Sequence, residues 1–113
     1  MHRINHRMSL DIQDTAASYS MSIKRGDSFR RLVITLMENG QPYQITEDCT
    51  AQFALTNYDG TTTYSNCEIQ DNTIIYNITA TDTSTTGTFN CEIILRGEDD
   101  AVLTSPHFKL VVY

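Results

Sequence analysis

The residues that could carry chemistry in this 113-residue chain are three cysteines, three histidines and one run of acidic residues. Cys49, Cys67 and Cys91 each fall in phase with apolar neighbours, and no two of them have the C-x-x-C spacing of zinc sites. The phase predicts three small buried thiols, with a Cys49–Cys67 or a Cys67–Cys91 disulfide as the alternative. An odd number of cysteines leaves at least one unpaired in every case.

The histidines and the acidic run do not form a catalytic or metal-binding pattern. His2 and His6 lie near the N-terminus and His107 lies near the other end, so their spacing implies neither a triad nor a metal cluster. The run 98–100 could bind calcium, but three acids at a hairpin tip are more often solvated. The common nucleophile, zincin, phosphate-loop and dinucleotide motifs are missing from the sequence. We therefore predict no enzyme, with no catalytic, cofactor-binding or metal-binding residues and no cofactor.

The elements that would position these residues are strands. Between Leu32 and Val112, apolar and polar residues alternate in about six short runs separated by turn residues. Period two lets a strand bury one face, and runs at this spacing predict an all-β, immunoglobulin-like antiparallel β-sandwich of about seven strands. The predicted core consists of Leu32, Ile34, Leu36, Phe53, Leu55, Ile74, Tyr76, Phe89, Ile93, Phe108 and Leu110.

The first 18 residues show no sustained period and are predicted to form an N-terminal arm (1–18) in front of the sandwich domain (19–113). Ordering such a segment costs roughly 1–2 kcal/mol per residue in backbone entropy, and its apolar residues are sparse. We therefore expect it to be mobile in a free monomer. Met8, Leu10 and Ile12 could add as a strand to the sheet of an adjacent copy or another protein. Deleting the arm should then weaken assembly and leave the sandwich folded.

The charge is unevenly distributed along the chain. The net charge is −6, yet residues 1–31 hold six basic residues and three acids, and the remainder holds two basic residues and eleven acids. The asymmetry suggests a basic arm that meets an acidic neighbour, such as another copy, with a solvated surface as the alternative. An acidic body disfavours nucleic acid. No apolar run approaches the ~20 residues of a membrane span, and no signal peptide is evident, so we expect no membrane contact and synthesis in a cytoplasm.

An ordered set of β motifs resembles a known family. The motifs are Arg25-Gly26-Asp27-Ser28-Phe29, Leu32-Val33-Ile34-Thr35-Leu36, Asn39-Gly40-Gln41-Pro42, Phe53-Ala54-Leu55, Asp59-Gly60, Cys67-Glu68-Ile69-Gln70-Asp71, Ile74-Ile75-Tyr76, Gly87-Thr88-Phe89-Asn90-Cys91-Glu92-Ile93 and Ser105-Pro106-His107-Phe108-Lys109-Leu110. Over residues 19–112 the chain is similar to the N-terminal domain of the baseplate upper proteins of tailed phages that infect Gram-positive bacteria. The resemblance implies an immunoglobulin-like virion-anchoring domain and offers no catalytic residues.

From this resemblance we expect a non-enzymatic structural protein of a tailed-phage virion. It would anchor or adapt an appendage of the baseplate, tail or fibre through protein–protein contacts. Its partners would be other virion proteins and copies of itself, in a homo-oligomer within the assembled particle, after synthesis in the host bacterial cytoplasm. The alternative function is a bacterial surface or carbohydrate-binding β-sandwich module.

Overall fold

Strands account for nearly all the regular structure of the chain. The computed structural model describes residues 1–14 and 16–113. The strands are β1 (Ile4–Asp11), β2 (Ala16–Ile23), β3 (Arg30–Glu38), β4 (Gln41–Pro42), β5 (Thr50–Thr56), β6 (Thr62–Gln70), β7 (Thr73–Asn77), β8 (Gly87–Arg96), β9 (Val102–Thr104) and β10 (His107–Val112). One 3-10 turn, Glu98–Asp100, connects β8 to β9. The predicted all-β class is confirmed, although ten strands are described where about seven were expected.

The strands follow one path, in the order β1-β3-β7-β6-β5-β8-β10-β2. The short strands β4 and β9 lie off this path, paired with β3 and β8. β1 and β2, at the two ends of the path, lie close to each other, so the sheet is nearly closed into a barrel-like sandwich. Most neighbours are antiparallel, as predicted, but β1 is parallel to β3 and β2 is parallel to β10.

The predicted core is confirmed, because all eleven residues named from the period-two pattern are buried. The ring of Phe53 stacks on that of Tyr76 with centroids 4.2 Å apart, and it lies 6.3 Å from the ring of Phe108. The Tyr76 hydroxyl donates a hydrogen bond of 2.6 Å to Asp82. The buried polar end of this tyrosine therefore has the partner that burial requires.

The first strand departs from the sequence-based prediction. Residues 1–18 were expected to be an arm ordered by another molecule, but β1 pairs with β3 of the same chain along its whole length. Met8 and Leu10 are 5% and 1% exposed. β1 is ordered within the chain because β3 offers it a full backbone ladder, and its two buried apolar residues cover that edge of the core. Thr15, inside the predicted arm, lies outside the described residues.

Strand direction gives the sandwich two distinct ends. One end carries turns 24–29 and 57–61 and segment 79–86. At this end lie the starts of β1, β3, β6 and β8 and the final residues of β2, β5, β7 and β10. Backbone hydrogen bonds hold this end together, from the Gly26 N–H to the Thr83 carbonyl at 3.0 Å and from the Arg25 N–H to the Tyr113 carbonyl at 2.7 Å. The opposite end carries turns 38–41 and 71–72, segment 43–49 and the 98–100 turn.

Candidate functional site

The structure does not bring the histidines and the acidic run together. The His6 imidazole lies 3.3 Å from the Arg30 guanidinium where β1 pairs with β3, whereas the His107 imidazole of β10 lies 3.0 Å from the Glu92 carboxylate of β8. Among residues 1–14 and 16–113, no three His, Cys, Asp or Glu side chains are grouped so that they could hold a metal ion. The absence of catalytic and metal-binding residues stays a prediction. No helix in the same described part is long and apolar enough to cross a membrane.

The cysteines are free thiols in three different environments. Only Cys91 is fully buried, so the prediction of three buried thiols is wrong for Cys49 and Cys67, which are half-buried. They lie where segment 43–49 covers the end of the core incompletely. Desolvation raises the pKa of both Cys67 and Cys91 to about 12. The Cys49 sulfur lies 3.4 Å from the Thr46 hydroxyl, in the half-buried position where segment 43–49 meets the core.

One end of the sandwich is basic. Five of the eight basic residues of the chain lie there, which we call the basic end: Arg3, Lys24, Arg25, Arg30 and Arg31. They come together because residues 1–3 precede β1, turn 24–29 follows β2, and β3 starts beside the start of β1. The acids at this end are Asp27, Asp59 and Asp82. The basic end is therefore net positive on a protein whose net charge is −6.

The basic end also exposes apolar surface. The Arg3 guanidinium lies 4.8 Å from the centroid of the Phe29 ring and donates a 3.1 Å hydrogen bond to the Ser28 carbonyl. Phe29 is 37% exposed and Ile4 is 53% exposed. A cation stacked on an aromatic ring beside an exposed isoleucine is a common composition at protein interfaces, where arginine and aromatic residues are enriched.

His6 is the titratable group most affected by this cluster. Burial and the nearby Arg30 guanidinium both lower the pKa of His6 below its usual 6.5, with burial as the larger cause. Arg30 also forms a 3.4 Å ion pair with Asp27. The neutral form of the His6 imidazole is therefore favoured where β1 pairs with β3.

The opposite end is acidic. Nine of the fourteen acidic residues lie in or next to its turns, and we call this the acidic end: Asp11, Asp14, Glu38, Glu47, Asp48, Asp71, Glu98, Asp99 and Asp100. Arg96 is the basic residue among them. Asp48 accepts hydrogen bonds from the Thr46 hydroxyl and, at 3.1 Å, from the Glu98 N–H. These bonds lower the pKa of Asp48, the Thr46 bond being the largest cause.

A groove opens at the acidic end between segment 43–49 and the β8–β9 hairpin. Its volume is about 360 Å³. Apolar atoms come from residues that include Tyr43, Leu95 and Val102, the last of which is 53% exposed, and Asp48 and Glu98 add negative charge. The division of charge by position along the chain does not reveal this arrangement. The available signal was that most of the acids occur in turns that close one end of a β-sandwich.

Comparison with known proteins identifies the family. The model of the BppU N-terminal domain family, the N-terminal domain of baseplate upper proteins, matches residues 4–113. Among solved structures, the N-terminal domain of phage TP901-1 ORF48 has the same fold, with a TM-score of 0.79 at 18% identity over 96% of this chain and 98% of that one. No curated protein matches the chain. Because the family match includes β1 and extends to the last residue, the chain belongs to the family of BppU N-terminal domains.

Proposed function

We propose that this chain is a non-enzymatic structural domain of a tailed-phage virion that anchors or adapts an appendage through contacts with other virion proteins. The observation that carries the proposal is the family match over residues 4–113, which supports a structural role in a phage baseplate. The protein would be made in the host bacterial cytoplasm and incorporated during assembly. An immunoglobulin-like sandwich serves this role because it is a rigid body whose ends and faces can each contact a neighbour.

The charge distribution supports protein partners over nucleic acid. The net charge is −6, and even the basic end contains three carboxylates. A surface that tracked phosphates would need a run of cations with few acids, because binding strength grows with the number of phosphates neutralised. Charged ends with apolar residues beside them are better suited to protein surfaces of complementary charge.

The test is the composition of purified virions. Peptide mass spectrometry of particles from independent preparations should find the chain at a constant copy number relative to the other tail proteins. Particles assembled without it should lack the appendage or its attachment. If the chain is absent from purified particles, the proposed function is wrong.

The carbohydrate-binding alternative can be tested with the same protein. Such a module uses exposed aromatic rings, and Tyr58 and Tyr64 are 94% and 58% exposed. The double variant Tyr58→Ala/Tyr64→Ala should leave incorporation into particles unchanged if the structural role is correct. Binding of cell-wall polysaccharide by the wild-type chain, lost in this variant, would favour the alternative.

A further inference from the structure

We propose that copies of this chain dock end to end, with the basic end of one copy seated on the acidic groove of the next. This inference rests on the proposed function and specifies one of its partners as a second copy of the same chain. It identifies the contact surfaces as the 1–4 and 24–31 region on one copy and the groove between segment 43–49 and the β8–β9 hairpin on the other.

Charge complementarity is the first argument. Five basic residues lie at one end, and nine acids surround the other end, with Arg96 as the basic residue among them. Two copies placed side by side with parallel strands would face like charge with like charge at both ends. Placed end to end, they bring opposite charges together, and a like-charge arrangement costs free energy that this one avoids.

Shape and apolar surface are the second argument. The basic end exposes Ile4 and the Arg3–Phe29 stack. The acidic groove has a volume of about 360 Å³, which is on the order of a dozen water molecules at the volume that each occupies in the liquid. Its wall contains Tyr43, and Val102 is exposed beside it. The groove can therefore accept an aromatic or aliphatic side chain, while its carboxylates meet the arginines around that side chain.

The symmetry of the contact follows from this pairing. The two surfaces are different, so the interface is heterologous, and repeated docking gives a ring when the rotation closes and an open line when it does not. A weak contact suffices inside a particle, because neighbours held by other contacts meet at high effective concentration.

Sedimentation of the full chain, with charge reversals at exposed positions, tests the proposal. At about 1 mM protein, the wild type should self-associate at about 25 mM salt, and the apparent dissociation constant should rise about tenfold or more at about 500 mM salt. Lys24→Glu/Arg25→Glu, which makes both ends acidic, should abolish association. Glu47→Lys/Glu98→Lys, which makes the acidic end less negative, should also abolish it.

A mixture of the two variants supplies the decisive measurement. Each variant keeps one native surface, so the native basic end of Glu47→Lys/Glu98→Lys should bind the native acidic groove of Lys24→Glu/Arg25→Glu. The mixture should form pairs although neither variant associates alone. The matched control for Lys24→Glu/Arg25→Glu is Arg7→Glu/Lys109→Glu, which lowers the net charge by the same amount at exposed mid-strand positions and should associate like the wild type.

Several results would overturn the proposal. The proposal is wrong if the wild type stays monomeric at about 25 mM salt. It is also wrong if association persists in both Lys24→Glu/Arg25→Glu and Glu47→Lys/Glu98→Lys. If the chain is monomeric but Lys24→Glu/Arg25→Glu loses incorporation into virions, the basic end docks on another acidic virion protein and not on a second copy. In that case the proposed function stands, since it is judged by the presence of the chain in particles. Circular dichroism of each variant must match that of the wild type.

Discussion

Truncation of Leu10 tests whether β1 is part of the folded domain. Leu10 is 1% exposed, lies opposite Leu36 of β3 and belongs to the central core cluster. Leu-to-Ala changes at buried sites cost about 2–5 kcal/mol, because they remove apolar burial and leave a cavity that closes only partly. Since β1 lies at an edge that can relax, we expect Leu10→Ala to lower the free energy of unfolding by about 3 kcal/mol and the Tm by on the order of 10 °C.

The matched control is Ser9→Ala on the same strand. Because Ser9 is exposed, the free energy of unfolding of the Ser9→Ala variant should stay within about 0.5 kcal/mol of the wild-type value. Urea titrations of both variants, with the slope m checked for a constant value, give the comparison. If Leu10→Ala is as stable as Ser9→Ala, β1 is not docked in the free chain. An arm that needs a neighbour would then be the better interpretation of residues 1–18.

Four further outcomes follow from the structure. In native protein Cys49 should react quickly with a thiol reagent, Cys67 more slowly because burial raises its pKa, and Cys91 only after unfolding; equally fast labelling of all three would contradict the burial of Cys91 and the raised pKa of Cys67. Phe89→Ala should cost ~3–5 kcal/mol in urea titrations, and a loss below ~1 kcal/mol would remove it from the core. Tyr76→Phe should cost about 1–2 kcal/mol, because Asp82 loses a hydrogen bond; an equally stable variant would show that the bond contributes nothing. The lowered pKa of His6 means that the unfolded chain binds its proton more readily. The free energy of unfolding should therefore fall as the pH drops below 6.5, and His6 should make no contribution to its pH dependence above that value. The variant His6→Gln should show a smaller fall.

The core could be predicted from sequence because alternation is a local property. Each apolar run in residues 32–112 is bounded by turn residues, so the buried face of each strand follows from the run itself. Neighbouring runs joined by short turns then pair as hairpins, as β5 and β6 do through turn 57–61. The eleven core residues could therefore be predicted correctly without knowing which strands pair with each other.

The position of β1 could not be predicted in this way. Its partner β3 starts 26 residues after it and runs parallel to it, so no local turn signals the pairing. Only Met8 and Leu10 of the strand are buried, a pattern too short to distinguish a docked strand from a free one. The prediction of three buried cysteines was wrong for a related reason. The alternation of a strand gives the direction of each side chain, but it does not show how completely the end of the sandwich is covered.

The charged ends show how a surface property of the whole fold arises from residues that carry no motif. A hairpin turn is solvated, so acids are tolerated in it singly, and each of the acidic turns is unremarkable on its own. Antiparallel topology then brings alternate turns to the same end, which adds their charges in space although they are separated in sequence. The arginines that begin β3 come to the other end by the same rule. Opposite charges at the two ends of a domain favour defined orientations among charged neighbours before any close contact forms.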